Sequence, residues 1–494
     1  MSSLSLRKLL SPENGATAVC DADHQNASRL CHAVDALRIA RPKMSAAGPL
    51  AGWQRAALLC AAPVVLAFVV FAWAGQAGSV AVGFTLPFSL IILLRIASIW
   101  NCSTPRSGNL PKPPELADQD LPHFSVLVPL FREGAVVPAL VDALRGLDYP
   151  PGKLDVLFVT EQSDNVTRDA LTEASLPLYM RIIEVPAGLP QTKPRALNFA
   201  LPLAIGELIA VYDAEDLPHP RQLRCAASRF AISPPDLVCL QARLRIHNAD
   251  HTFLTRQFAL EYAALFEAVM PLLERIGLPI LLGGTSNHFR RSALDEIAGW
   301  DPFNVTEDAD LGVRLARFGK RAAMLDSDTW EEAPATLPAW TGQRTRWLKG
   351  WMQTYLVHMR EPRQLWRDLG GWRFLGVQVT LGGMIFSALV HPWFYIAAAC
   401  QLILRQTVLP SGNLWVLCWF NLWAGYAAGI TLGLIAAWRS QGRVPIVSAF
   451  LVPFYWLAIS WASYRALFEF YHRPFHWEKT QHSARSVTAV PLST

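Results

Sequence analysis

The stretch "NVTEDADLGVRLARFG" carries Glu307, Asp308 and Asp310 within four positions at the start of an amphipathic helix, in a chain that is 52% hydrophobic. Helix capping accounts for such acids, with Thr306 as N-cap and carboxylates at the positive end of the helix dipole. Whether capping is their whole account depends on what the rest of the chain supplies. A second acidic group, "YDAEDLPHP", follows an apolar run and sets Asp213 and Glu215 at spacing i, i+2. Two carboxylates in an extended turn can converge on one hard divalent cation, while the plain alternative is an Asx-type turn before Pro218. In "QTKPRALNFAL", Lys193 and Arg195 open a helix, where cations gain nothing from the dipole and a bound anion would explain them better. The polar turn "LGGTSNHFRR" offers Gly283 and Gly284 for close approach of backbone to a ligand. In "QRTRW", Gln343, Arg346 and Trp347 fall at i, i+3 and i+4 and share a helical face. A guanidinium there can grip a diphosphate in a fork, and an indole offers a plate for a sugar ring. The same residues would also suit a helix anchored at lipid headgroups.

Elements that could position these groups alternate between His123 and about Pro338. The β-rich runs are "FSVLVPL", "LDVLFVT", "RIIEVP", "ELIAVYD" and "LVCLQARL", separated by helical stretches. Alternation of this kind predicts a mainly parallel sheet with helices on both faces, and such sheets bind ligands beyond the carboxyl ends of their strands. Three runs end in acids, at Glu133, Glu161 and Asp213 to Asp216.

Charge is spread unevenly along the 494 residues: 56–94, 374–404, 406–438 and 444–464 hold no Asp, Glu, Lys or Arg. A bilayer core takes about 20 apolar residues per helix, so these tracts read as membrane-embedded. The first begins too late and runs too long for a cleaved signal peptide, and splits near Gly75 into two spans. Arg38, Arg41, Lys43 and Arg55 precede it and predict a cytoplasmic N-terminal side. The net charge of +5 comes with no basic run, which argues against nucleic-acid binding, and the eight scattered cysteines form no CxxC pair for zinc. The reading divides the chain into an N-terminal cytoplasmic segment 1–55, partly disordered, two spans in 56–98, a linker 99–122, an α/β domain 123–340, an interfacial region 341–372, three to four helices in 373–465, and a tail 466–494. Basic residues flank 444–464 on both sides, so the loop holding Arg439 and the tail share a side only if that tract is re-entrant. The tail is placed inside.

In order, "VLVPLFRE", "TKPRALN", "YDAED", "GGTSNHFRR", "TEDADL" and "QRTRW" resemble the motif series of family 2 inverting glycosyltransferases of the GT-A fold, over roughly residues 123 to 360. The flanking spans resemble the membrane-integrated, synthase-like branch that includes cellulose and hyaluronan synthases. The resemblance implies a cytoplasmic α/β GT-A domain inserted between transmembrane helices. It implies that Glu133, Glu161 and Lys193 hold the nucleotide of the donor, that Asp213 and Glu215 hold Mg or Mn, and that Asp308 is the catalytic base. Arg346 then meets the donor diphosphate, and Gln343, Trp347 and Glu307 lie toward the acceptor. Glu215 departs from the usual DxD motif, where the second acid is Asp. The tail "RPFHWEKTQHS" resembles an ending seen among membrane synthases, which implies a gating role for Trp477, Lys479 and Thr480. The expected activity is transfer of a sugar, glucose favoured, from a UDP-sugar to a growing β-linked polysaccharide at a bacterial inner membrane, with accessory export proteins compatible with that product. A single-sugar transferase acting on a lipid and an inactive sugar-nucleotide sensor are the alternatives.

Overall fold

A computed structural model describes residues 12–60, 77–103, 114–404, 413–439 and 444–473. The tail residues Trp477, Lys479 and Thr480 lie outside them. Among the described residues eight strands form one sheet: β1 (Phe124–Leu130), β2 (Leu154–Glu161), β3 (Met180–Val185), β4 (Leu208–Val211), β5 (Leu217–Pro218), β6 (Leu237–Ile246), β7 (Asn287–Arg290) and β8 (Arg321–Glu331). Their spatial order is β3-β2-β1-β4-β7-β6-β8-β5. The first four are parallel, as their apolar runs predict, because helices cover both faces of that half. Along β1 the side chains alternate between two cores: Phe124, Val126 and Val128 pack with the helices Val137–Arg145 and Gln222–Ala231, whereas Leu127 faces the helix Lys193–Ala200.

β7 changes the character of the sheet by pairing antiparallel with both β4 and β6. Its four residues, Asn287 to Arg290, come from the stretch expected to be a polar turn. β8 runs parallel to β6 and pairs antiparallel with β5. The sheet is therefore mixed, and β8 delivers its last residue, Glu331, to the edge where β4 delivers Asp213.

Residues ahead of the sheet fold onto it. The helix Pro12–Ala40 has Ala33 and Leu37 buried, and Asn198 donates to the Ala33 carbonyl at 3.0 Å. Arg360 donates to the Ser45 carbonyl at 2.7 Å, fixing the turn that follows that helix.

Among the described residues, four helical stretches are long and apolar enough to cross a membrane: Thr85–Cys102, Pro362–Trp393, Trp419–Arg439 and Ile446–His472. The last of these touches the sheet-bearing part of the chain and its following helix near both ends. At its start Gln257 donates to the Ser448 carbonyl at 2.6 Å and the Tyr455 hydroxyl donates to Glu261 at 3.0 Å. At its far end Lys349 pairs with Glu469 at 3.3 Å. The Arg439 guanidinium, just ahead of this stretch, donates to the Cys102 carbonyl where the helix Ala77–Ser103 ends.

Candidate active site

The carboxyl ends of β1, β2 and β4 open into a cavity of about 520 Å³. Its polar end is lined by Glu133, Glu161, Lys193, Asp213, Glu215, Glu307, Asp308, Gln343, Arg346 and Trp347, the described residues to which the family resemblance gives roles. Asp213, Glu215 and Asp216 leave β4 in a turn braced by Asp216, whose carboxylate accepts the Asp213 backbone N–H at 2.7 Å and the Thr285 hydroxyl. Burial first, then Asp213 and Glu215, raise the Asp216 carboxyl well above its usual range. Glu133 follows Arg132, a non-glycine residue at φ 56°, so the turn after β1 is strained. The Asp164 carboxylate accepts the Arg132 N–H, and Thr167 accepts that of Glu133 at 2.8 Å, holding the turn.

Lys193 is the counterion of the site. Its ammonium bonds to Asp213, donates to the Gly284 carbonyl at 2.6 Å and lies 3.8 Å from Glu307. Burial alone would depress its pKa, but Asp213, Glu307 and Asp308 outweigh that and raise it. Arg195 has a different task from the one its sequence suggests: fully buried, it pairs with Glu161 and donates to the Gly188 carbonyl, so it carries structure rather than a bound anion. Glu161 thus lines the cavity with one oxygen already engaged. Its carboxyl is raised by burial, with Arg195 opposing.

Gly284 lies between the two acidic groups. A Cβ there would stand 3.5 Å from Asp308 Oδ2 and 3.8 Å from Asp213 Oδ2, so one small residue separates the proposed base from the proposed metal ligand. Burial raises the Asp308 carboxyl, opposed by the Ala309 N–H it accepts at 2.8 Å and by Lys193. Glu307 is pushed up to about 7 by burial, with Lys193 lowering and Asp308 raising it. A base whose carboxyl is raised from its free value is better matched to removing a hydroxyl proton near neutral pH.

Thr306 occupies the N-cap position of the helix Glu307–Arg317 but makes no side-chain cap bond. Its side chain instead meets the helix Leu337–His358, where a Cβ on Gly350 would come within 2.4 Å of its Oγ1. Further bonds fasten the same junction: Asn304 donates to Thr354 at 2.9 Å, and Gln353 donates to the Phe303 carbonyl at 3.0 Å. Asp310 accepts Arg314 at 2.6 Å and faces His358 at 3.0 Å, with all three buried. Burial would raise Asp310, but Arg314 and His358 prevail and lower it. Of the three acids in this helix, Asp310 therefore joins two helices while Asp308 faces the cavity.

The two arginines of "QRTRW" diverge. Arg344 turns away into a buried cluster, pairing with Glu261 at 2.7 Å, and Glu261 also accepts the Tyr455 hydroxyl. Arg346 lines the cavity, where burial lowers its pKa against the opposing field of Glu307, Asp213, Glu215 and Asp308. Gln343 lies beside it, with its Oε1 buried and without a hydrogen-bond partner. Trp347 stacks on Tyr262 at 6.4 Å between ring centroids and 24° between planes.

Glu331 is an acid that the sequence reading passed over, as are Glu261 and Glu332, which also line the cavity. It lines the same cavity, and burial together with Asp216, Glu215 and Asp213 raises its carboxyl well above the usual range, against Lys193. The signal lay in "TWEEAP", unread because β8 was not recognised as a strand ending at this edge. Among the described residues no group of three or more His, Cys, Asp or Glu is arranged to hold a metal. The donor chemistry nevertheless fits a hard divalent cation, because Asp213 and Glu215 offer carboxylate oxygens amid an excess of acid, leaving further coordination positions to substrate phosphates.

Beyond Trp347 the cavity continues between the apolar helices, past Leu94, Met384, Leu432 and Ile459.

Comparison with known proteins matches residues 122–350 to the family described as "Glycosyltransferase like family 2". A probable glycosyltransferase, YdaM, of Bacillus subtilis is 28% identical over 47% of this chain and 56% of its own length. The beta-monoglucosyldiacylglycerol synthase of Synechocystis is 27% identical over 75% of this chain and 77% of its own length. The corresponding synthase of Trichormus variabilis is 31% identical, and there the chain spans only 50% of the relative. Among solved structures, the mannosyltransferase PcManGT from Pyrobaculum calidifontis, in complex with GDP-Man and Mn2+, superposes with a TM-score of 0.51 at 18% identity, over 79% of this chain and 98% of that one. The cavity at the β-strand ends, the order of the motifs and these likenesses agree that residues 122–350 are a family 2 glycosyltransferase domain of the GT-A fold, with apolar helices on both sides.

Proposed function

We propose that the chain is an inverting hexosyltransferase that moves one sugar, glucose favoured, from a UDP-sugar to the hydroxyl of a lipid held in the bilayer. The observation that carries this reading is the continuity of a single cavity from Asp213, Asp308 and Arg346 to Leu94, Leu432 and Ile459 of the apolar helices. A nucleotide suits the charged end and an acyl or prenyl chain suits the other, since apolar surface drives an apolar substrate into contact with it. The diacylglycerol named for the Synechocystis relative is compatible with that division. The polysaccharide expected from the motif series is the second product class, supported by "QRTRW" and the surrounding helices. The catalytic domain is assigned to the cytoplasmic face of a bacterial inner membrane, where nucleotide sugars are made.

In this mechanism Asp308 takes the proton of the acceptor hydroxyl as that oxygen forms a bond to the anomeric carbon. The bond from that carbon to the diphosphate oxygen breaks on the opposite side, so the configuration inverts and UDP leaves. Arg346 and Lys193 offset charge that grows on the departing diphosphate. A divalent cation bound by Asp213 and Glu215 would supply Lewis-acid stabilisation of the same group. Trp347 covers the site toward the lipid end and limits water that would hydrolyse the donor.

The test is to incubate the purified full chain with radiolabelled UDP-glucose, UDP-N-acetylglucosamine and GDP-mannose in the presence of membrane lipids. Label in the organic phase is the expected result. Label confined to ethanol-insoluble polymer would replace the lipid acceptor by the polysaccharide, and no turnover with any donor would overturn the enzymatic reading.

A further inference from the structure

Arg95 stands within Thr85–Cys102, one of the apolar stretches long enough to span a bilayer, and it lines the cavity. It is eight residues before the end of its helix at Ser103, about 12 Å at 1.5 Å rise per residue. Among the described residues it has neither a carboxylate partner nor a hydrogen bond. Its guanidinium instead lies over the Trp456 ring, 4.5 Å from the centroid. An arginine placed only to reach headgroup water would extend along its own helix toward the surface. This one is turned onto an aromatic face between helices, which keeps its N–H groups beside the cavity.

The seat is built by its neighbours. A Cβ on Gly429 would stand 2.6 Å from the Trp456 ring and 3.7 Å from Arg95 Nη1, so only glycine lets the indole lie where it supports the guanidinium. Tyr426 stacks on the same indole at 5.7 Å and 22°. His391 also lines the cavity and packs edge-on to Trp456 at 5.6 Å. Its Nε2 is taken by the Tyr426 hydroxyl at 2.8 Å, while its Nδ1 is buried without a partner. An uncompensated cation and an unpaired ring nitrogen thus border one cavity at membrane depth. Ionisable groups there are costly unless they meet an opposite charge.

We propose that Arg95, with His391 beside it, binds the phosphate of an anionic lipid in the inner part of the cavity. The phosphate belongs either to the acceptor itself or to a phospholipid that accompanies a neutral acceptor. The inference rests on the lipid-acceptor reading for its catalytic consequence, but the site is defined by binding alone. A guanidinium matches a phosphate by parallel N–H donors; because the Tyr426 hydroxyl donates to Tyr395 and so accepts from His391 Nε2, the Nδ1 adds one more donor only as imidazolium, the form that a bound phosphate favours.

The experiment uses the full chain in dodecyl maltoside, which carries no phosphate, and compares tritiated dioleoylphosphatidate with dioleoylglycerol, which has the same acyl chains. The wild type is expected to bind the phosphatidate at least about tenfold more tightly, and Arg95→Gln to abolish that preference while UDP binding is unchanged. Arg95→Lys, which keeps the charge without the fork, is expected to retain part of the preference and serves as the informative variant if Arg95→Gln does not fold. Equal binding of the two lipids by the wild type, or an undiminished preference in both variants, would overturn the proposal. Labelled donor then separates the sources: transfer to the phosphorylated lipid identifies an acceptor phosphate, and transfer to dioleoylglycerol only when phosphatidate is present identifies a companion lipid. Preserved Arg95-dependent binding with no transfer to any lipid would remove the lipid-acceptor function and leave the phosphate site standing.

Discussion

Gly350 tests whether the proposed base, Asp308, and the proposed diphosphate ligand, Arg346, depend on one contact between two helices. In the Gly350→Ala variant the new Cβ would meet Thr306 Oγ1 at 2.4 Å and Thr306 Cγ2 at 2.5 Å, where ordinary contact begins at 3.4 Å. The helix Leu337–His358 would have to part from the start of the helix Glu307–Arg317 by about 1 Å, because both contacting atoms belong to a buried side chain. Overpacking of this size costs about 1–3 kcal/mol, offset by the roughly 1 kcal/mol that alanine gains over glycine inside a helix. Net stability should therefore fall by no more than about 2 kcal/mol. Catalysis should suffer more, since Asp308 and Arg346 move apart and a misplacement of about 1 Å can lower the rate by about 100-fold. The assay is transfer of labelled sugar by purified protein, with UDP binding and thermal unfolding measured on the same samples. Thr306→Ala introduced into the Gly350→Ala protein should recover part of the rate. A Gly350→Ala enzyme with normal turnover and normal Tm would refute the argument that this junction sets the geometry.

Asp308→Asn should retain UDP binding and lose about 100-fold or more in transfer, as expected for a missing general base. Because burial raises the Asp308 carboxyl, the acid limb of kcat/KM should lie above the value of a free Asp, and a pH-rate profile measures it. Glu307 has a folded pKa of about 7 against 4.5 for the free group, so the folded state keeps its proton longer. Its stabilising effect is full below pH 4.5 and is lost as pH rises to about 7, so Glu307→Gln should flatten the fall of Tm across that window. Asp213→Ala should weaken metal-dependent nucleotide binding, Glu215→Asp should be far milder, and excess chelator should abolish turnover; titration calorimetry and transfer assays read these outcomes. Arg344→Lys should lower Tm by disturbing Glu261 and Tyr455 with little change in UDP affinity, whereas Arg346→Lys should do the reverse.

The parallel half of the sheet was legible because "FSVLVPL" and "LDVLFVT" are buried on both faces and carry little but apolar residues. β7 and β8 were not, for opposite reasons. "NHFR" is too short and polar to stand out, and "RAAMLDSDTWE" alternates with acids on its outward positions, which reads as loop. Missing β8 hid Glu331. The motif acids were visible at Asp213, Glu215, Glu307 and Asp308, but which acid faced the cavity was not, since Asp310 differs from Asp308 only by the partners that Arg314 and His358 supply. Arg195 shows the same limit: its partner Glu161 is 34 residues away, and a strand-end acid and a helix-start base reveal their pairing only when the chain is folded. Thr306 read as a helix cap because capping is a local rule, whereas its contact with Gly350 crosses two helices.

The shared cavity has a kinetic consequence. A donor arriving from water is counted in moles per litre, but an acceptor arriving sideways from the bilayer is counted as a fraction of the lipid molecules around it. Inert lipid added to vesicles at fixed total acceptor dilutes the second substrate without touching the first. On the lipid-acceptor reading, the rate of this enzyme is therefore a property of the membrane surface it inhabits, set by crowding in two dimensions as much as by concentration in three.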